Sequence, residues 1–145
     1  MNSKNFFLTF GKTLYHIDYV YSEIAKEVDV PATLLWIMYA INDGKMHTQK
    51  EICYDWDLPK STVNTIITQL KNDGFIYLNP IKGEKREMYI VLTEKGKEFA
   101  NNITNRIFQM EEKIFSNLSF NKETFLDNLI EIENNLKKER QNEKN

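Results

Sequence analysis

Residues 48–74 read TQKEICYDWDLPKSTVNTIITQLKNDG, and residues 75–96 continue as FIYLNPIKGEKREMYIVLTEKG. Thr48 and Glu51 stand three positions apart, the spacing of a capping box in which each side chain satisfies an orphan backbone donor. They open a short helix containing Ile52, Cys53 and Trp56. Asp57, Leu58 and Pro59 break it, and a second helix follows, since proline is tolerated in a first turn but not in a helix interior. Over residues 59–72, Val63, Ile66, Ile67 and Leu70 form an apolar stripe. Ser61, Asn64, Thr65 and Thr68 occupy the opposite face, with Lys60, Thr62 and Lys71 at its flanks. Gly74 ends the helix as a left-handed cap. A strand begins at 75–78 and its partner returns over 88–92, leaving a hairpin tip at 80–87 that is rich in Lys and Gly. Two short helices, a tight turn and a charged hairpin in this order describe a winged helix-turn-helix.

Outward from that stretch, the chain is helical. From Phe6 to Ala25, apolar residues recur at Phe7, Phe10, Leu14, Ile17, Tyr21 and Ile24, in alternating steps of three and four that mark one stripe of an amphipathic helix. Phe6, Tyr15, Tyr19 and Val20 widen the stripe beyond what one neighbour covers. Pro31 suits the first turn of a following helix, whose core face is Leu34, Leu35, Ile37, Met38 and Ile41 before Asn42, Asp43 and Gly44 end it. Towards the C-terminus, Ile103, Ile107, Met110, Ile114 and Phe115 lie on one side of a helix over 99–118. Phe125, Leu129, Ile132 and Leu136 form the stripe of a last helix, and residues 137–145 are all charged or amide-bearing, as in a fraying tail. The expected fold class is mainly α with a small β-hairpin wing. It is one domain over 1–145, with the winged helix-turn-helix at 31–96 and flanking helices at 1–28 and 97–142.

Composition restricts the function. With 145 residues, 41% hydrophobic and 28% charged, the chain is expected to be a soluble globular domain. No apolar run approaches the roughly 18 residues that span a bilayer, and the N-terminal residues lack a signal-peptide layout, so a cytoplasmic protein without membrane contact is expected. The net charge is −2. Its distribution is uneven: residues 44–98 hold nine Lys/Arg against eight Asp/Glu, leaving −3 on the remainder. Nucleic-acid binding needs local cations rather than a basic total, and Lys60, Lys71, Lys82, Lys85 and Arg86 fall where phosphate would lie.

The polar helix face has the chemistry of base reading. Asparagine donates and accepts together along the major-groove edge of adenine, while Ser and Thr bond base edges or phosphates and the Thr methyl meets a thymine methyl. A merely solvated face would favour Glu, Lys and Gln, which are better helix formers than Ser, Thr and Asn. In the hairpin, Arg86 suits a narrow A·T minor groove and Lys82 and Lys85 suit phosphates. By charge alone, the same loop is an ordinary solvated hairpin in which Glu84 pairs with Arg86.

The order of pieces resembles the MarR family of bacterial transcription regulators over nearly the whole chain. The most specific part is the wing register: Glu84 and Arg86 precede Leu92, Thr93 and Gly96 at the offsets of that family's acidic residue, arginine and Leu-Thr-x-x-Gly, ten residues after Gly74. Glutamate stands at 84 in place of the commoner aspartate, where the resemblance implies a wing-support role that orients Arg86 through a longer arm, and Leu78 occupies a position often basic in the family. The resemblance implies a homodimer whose first and last two helices interleave, making 1–28 and 97–142 dimerisation helices. It further implies double-stranded DNA as partner, a palindromic operator, a repressor role and release by a small aromatic or phenolic ligand. Candidates to line that effector site are Phe10, Tyr15, His16, Tyr19, Trp36 and Tyr39, all of which also suit core and interface packing.

Other functions find less support. His16 and His47 are distant in sequence, no Ser/His/Asp pattern or metal-spaced Cys/His cluster appears, and the five glycines form no phosphate loop, so no enzyme, cofactor or metal is expected. Cys53 reads as a small buried core residue rather than an oxidation sensor. The alternative is a winged-helix module that binds another protein instead of DNA.

Overall fold

The computed structural model describes residues 1–145, beginning with a long helix α1 (Ser3–Glu27) and a short helix α2 (Ala32–Ile41). Then come β1 (His47–Thr48), α3 (Gln49–Asp55), α4 (Lys60–Asn72), β2 (Ile76–Pro80), β3 (Met88–Leu92), α5 (Glu94–Asn117) and α6 (Lys122–Lys144). The fold is a winged helix-turn-helix with long terminal helices, mostly helical, and two compact units are distinguishable: Met1–Ile107 and Phe108–Asn145.

The core of the first unit is the set of apolar positions that the helical spacing selects. Leu35, Ile37 and Met38 of α2, Ile52 of α3, Val63, Ile67 and Leu70 of α4, Ile76 of β2 and Ile90 of β3 are buried together with Ile24 and Ala25 at the end of α1. Gly96, Ala100, Ile103, Thr104 and Ile107 are also buried. The first half of α5, which the sequence assigns to the flanking helices, is thus integral to the winged-helix unit. A satisfied polar link joins α2 to α5: Asn42 Nδ2 donates to Asn101 Oδ1 (3.0 Å) and to Thr104 Oγ1 (2.9 Å), and Thr104 donates to the Ala100 carbonyl (2.9 Å). An ion pair between Arg106 and Glu27 connects α5 to α1.

The sheet has three antiparallel strands in the order β1-β3-β2. Ile76 pairs with Leu92 and Pro80 with Met88, so the proline ends an edge strand, where its missing N–H costs no ladder bond. The hairpin is the one that the sequence pattern predicts; β1 is an addition, because two residues are too few to show alternation. It pairs His47 with Ile90 and Thr48 with Tyr89. Asp43 holds this strand in place, bonded to His47 Nε2 (2.8 Å) and to the Lys45 N–H (2.9 Å). Partial burial pushes its carboxyl up, but the His47 and Lys45 hydrogen bonds outweigh that and hold it below the usual carboxylate range.

Leu92, Thr93 and Gly96 form a joint between the wing and the start of α5. The Thr93 hydroxyl donates to the Gly74 carbonyl (2.7 Å) and accepts the Gly96 N–H (2.9 Å), while the Thr93 N–H donates to the Phe75 carbonyl (3.0 Å). Lys95 Nζ donates to the Asp73 carbonyl (2.7 Å) and lies 4.6 Å over the Phe75 ring, which stacks on Phe99 at 4.3 Å. The backbone of α5 approaches so closely that a Cβ on Gly96 would stand 1.7 Å from the Phe75 oxygen.

Three helices end in Schellman motifs, with the αL position held by Asp29 after α1, Asp57 after α3 and Gly74 after α4. At α1, the Asp29 N–H donates to Lys26 and the Val30 N–H to Ala25. Asp29 holds φ 57°, a conformation that disfavours a Cβ. Asp29→Gly is therefore expected to raise stability by about 0.5 kcal/mol, visible as a higher denaturant midpoint at unchanged slope.

In the second unit, Asn121 caps α6 by accepting the Thr124 N–H (2.8 Å), and Phe120 packs on Phe125 with ring centres 4.9 Å apart. Lys122 Nζ bonds the Leu118 carbonyl and sits over the Phe115 ring. No residue of α6 is buried: Leu129 and Ile132 are half covered, while Phe125, Leu126, Ile130 and Leu136 are exposed. In the first unit, α1 likewise exposes Phe7, Leu14, Ile17 and Val20. No helix is long and apolar enough to cross a membrane.

Candidate nucleic-acid interface

Both bonds of the capping box form at the start of α3: the Glu51 carboxylate accepts the Thr48 N–H (2.8 Å) and the Thr48 hydroxyl accepts the Glu51 N–H (3.2 Å). The turn to α4 reverses through Asp57 at φ 47°, closed by the Leu58 N–H donating to the Cys53 carbonyl (3.1 Å). Pro59 serves as N-cap rather than first-turn residue, presenting no orphan N–H at the exposed end of α4.

Burial of Val63, Ile67 and Leu70 fixes the rotation of α4. At 3.6 residues per turn, Ser61, Thr65 and Thr68 face solvent, Lys60, Asn64 and Lys71 form one edge, and Thr62 and Ile66 form the other. The sequence pattern puts Ile66 in the buried stripe and Thr62 beside the readers; both are half-buried, because the packed stripe of α4 is turned so that this edge is only partly covered. Thr65 donates its hydroxyl to the Ser61 carbonyl (2.9 Å). Its hydrogen is therefore spent within the helix, leaving an acceptor oxygen and a methyl as the groups it can offer a ligand.

The Lys60–Asn64 edge faces the root of the wing across two hollows. One, of about 280 Å³, is lined by Gln49, Asn64, Leu78, Arg86, Glu87 and Met88; its neighbour is lined by Gln49, Lys50, Cys53, Lys60, Asn64 and Glu87. The structure thus brings Arg86 to Asn64, and Leu78 puts hydrocarbon where the family resemblance would favour a basic residue. Lys82 and Lys85 stand exposed on the loop at 81–87, whose turn is closed by the Glu84 N–H donating to the Ile81 carbonyl (3.0 Å). Glu84 forms no ion pair with Arg86 here. Both side chains are exposed, and an exposed pair gains less than about 1 kcal/mol, too little to hold two long arms together.

Residues of this edge that the sequence pattern does not single out are Gln49, Lys50 and Glu87. The capping box locates the first turn of α3, so Gln49 and Lys50 are within reach of inference; nothing in the pattern marks Glu87. Cys53 departs from its expectation: Ile52 is the buried residue, while Cys53 is half-buried and lines a hollow. A step of one residue turns it about 100° from the core direction.

The six candidate effector residues fall into separate settings. Trp36 and Tyr39 belong to an aromatic cluster with Tyr21 and Trp56, at ring separations of 4.8–5.6 Å around Trp36, which ties α1, α2 and α3 together. Phe10 stacks on Phe6 within α1. Tyr15, His16 and Tyr19 are exposed, Tyr15 at 79%. Tyr19 is hydrogen-bonded to the Glu23 carboxylate, whose bond and charge hold the phenol above its ordinary range.

These elements define a winged helix-turn-helix protein with long terminal helices. Among solved structures, the chain is similar to NMB1585, a MarR family regulator from Neisseria meningitidis, with 23% identity, complete coverage of both chains and a TM-score of 0.79. It is also similar to Staphylococcus aureus MepR in a DNA complex, at 20% identity over 89% of this chain and 96% of that one, TM-score 0.64. A third is NadR in complex with 4-hydroxyphenylacetate, at 15% identity over 90% and 91%, TM-score 0.70. At these identities, what is established is the shared fold. No protein-family profile matches the sequence, and no curated protein does.

Proposed function

We propose that this protein is a sequence-specific double-stranded-DNA-binding transcriptional regulator of the MarR type, a repressor that acts in the cytoplasm as a homodimer on a palindromic operator. The observation that carries this is the placement of Ser61, Asn64, Thr65 and Thr68 on the exposed side of α4, with Lys60 and Lys71 beside them and Lys82, Lys85 and Arg86 on the adjoining wing. A helix about 10–12 Å across fits the major groove, and short polar side chains let its backbone come close. The MepR structure, which shares the fold, is a DNA complex.

Support for the homodimer is the apolar surface that each unit leaves uncovered on α1 and α6. A two-fold axis sets the two α4 helices one helical turn, about 34 Å, apart along DNA, which is why a palindrome belongs to the proposal. Release by a small aromatic ligand is suggested by the NadR complex and by the cluster around Trp36 and Tyr39.

The test is a fluorescence-anisotropy titration against the region upstream of the protein's own gene, repeated over a range of salt. Arg86→Ala is expected to weaken binding about tenfold on operator and non-operator sequences alike, and to lower the salt slope by about one. If no genomic fragment shows salt-sensitive binding, the protein-binding alternative takes over.

A further inference from the structure

We propose that Glu87 attenuates the protein's sequence-independent affinity for the DNA backbone by holding a carboxylate among the phosphate-facing lysines. This rests on the DNA-binding function proposed above. Glu87 lies at the foot of β3, half-buried, and lines both hollows between α4 and the wing. In one it shares the walls with Lys50 and Lys60, in the other with Arg86, and Asn64 is common to both. No ion pair fixes it to a single cation, so its charge acts on whatever approaches that edge of α4.

A carboxylate there has two opposing effects. It attracts Lys50, Lys60 and Arg86 and repels phosphate, so part of what those cations would gain from a DNA backbone is already taken up within the protein. The loss applies to every duplex equally, because phosphates are the same in all of them. Base contacts from Asn64, Thr65 and Thr68 do not depend on it. It therefore lowers the affinity for operator and non-operator DNA by the same factor, and matters most for non-operator DNA, where phosphate contacts supply essentially all of the binding. The near balance of charge in residues 44–98 fits the same device: cations present in number, with acids set among them.

The position makes the case sharper than composition does. Glu51 is committed to the Thr48 cap, and Glu84 lies on the exposed tip. Glu87, by contrast, sits between the reader helix and the wing, where DNA seated on α4 would have to pass it. Partial burial also lessens its screening by salt relative to a tip residue.

The experiment compares wild type, Glu87→Gln and Glu87→Ala by anisotropy on the operator fragment and on a scrambled duplex of equal length, across salt, with thermal melting as the check that each variant is folded. Both variants are expected to bind the scrambled duplex and the operator fragment alike about fivefold or more tighter, with a salt slope steeper by about one and an unchanged operator-to-scrambled ratio. In a Lys60→Gln background, Glu87→Gln should gain less, since one of the cations it masks is gone. Unchanged scrambled-duplex affinity in folded variants would overturn the proposal while leaving the DNA-binding function intact. Weaker operator binding with unchanged scrambled binding would overturn it too, by making Glu87 a base acceptor. A wild-type protein that binds neither duplex would overturn the DNA-binding function itself, and this inference with it.

Discussion

Gly96→Ala is expected to cost about 3 kcal/mol or more, enough to lower the melting temperature by several degrees or to prevent folding. The added Cβ would lie 1.7 Å from the Phe75 oxygen and 2.7 Å from its carbonyl carbon. A clash with a side chain is relieved by a change of rotamer; these atoms are backbone, and they are held. The Phe75 carbonyl accepts the Thr93 N–H, and the Phe75 N–H closes the Schellman motif on Leu70. Moving Phe75 outward would thus break the end of α4 and the start of α5 together. Denaturant unfolding monitored by circular dichroism would decide it, and a variant as stable as wild type would show that the approach at Gly96 is not a constraint. As a control, a Cβ added at Gly11 would meet nothing within 4 Å, and alanine there should be tolerated.

Asn64→Ala should separate recognition from folding more cleanly than any other change on α4. Asn64 is exposed and alanine is the better helix former, so stability should hold or rise slightly. What is removed is a side chain that donates and accepts together. Against an operator with adenine beneath it, the loss of discrimination is expected at about 1–3 kcal/mol, roughly five- to more than a hundredfold. Binding to scrambled DNA should scarcely change, in contrast to Arg86→Ala, because no charge is lost. Selection of bound sequences from a random pool would report it as relaxed preference at one or two base pairs in each half-site. A variant that loses affinity equally for all sequences would assign Asn64 to positioning rather than reading.

Much of the fold is legible because its signals are local. The capping box at Thr48 and Glu51, the break before Pro59 and the cap at Gly74 each depend on residues within four positions, and the structure forms all three. The apolar spacing locates α1, α2, α4, α5 and α6. What escapes it depends on partners distant in sequence. β1 exists only because β3 is present to pair with it. Thr93 and Gly96 are recognisable by register, yet their physical task, joining the wing strands to α5, emerges only when Gly74 and Phe75 are in place. The same is true of the site: the polar face of α4 follows from its periodicity, whereas Glu87, Gln49 and Cys53 meet Asn64 only through the packing of α3 against the wing. The six aromatic candidates for an effector site can be named by type, but type does not separate Trp36, packed among rings, from Tyr15, which is bare.

The joint at Thr93 and Gly96 has a mechanical consequence. Because α5 begins against the backbone that ends α4, with no slack residue between the Gly74 cap and the Thr93 hydroxyl, a rotation of one helix would be passed directly to the other. Lys60 lies at the far end of α4, about 20 Å from that fulcrum at 1.5 Å per residue. A tilt of α5 by about 5° would then sweep the start of α4 through roughly 2 Å, several times the range over which a hydrogen bond keeps its strength. A small rotation of α5 would thereby be geared up into a displacement that shifts every side chain on the exposed face of α4 at once.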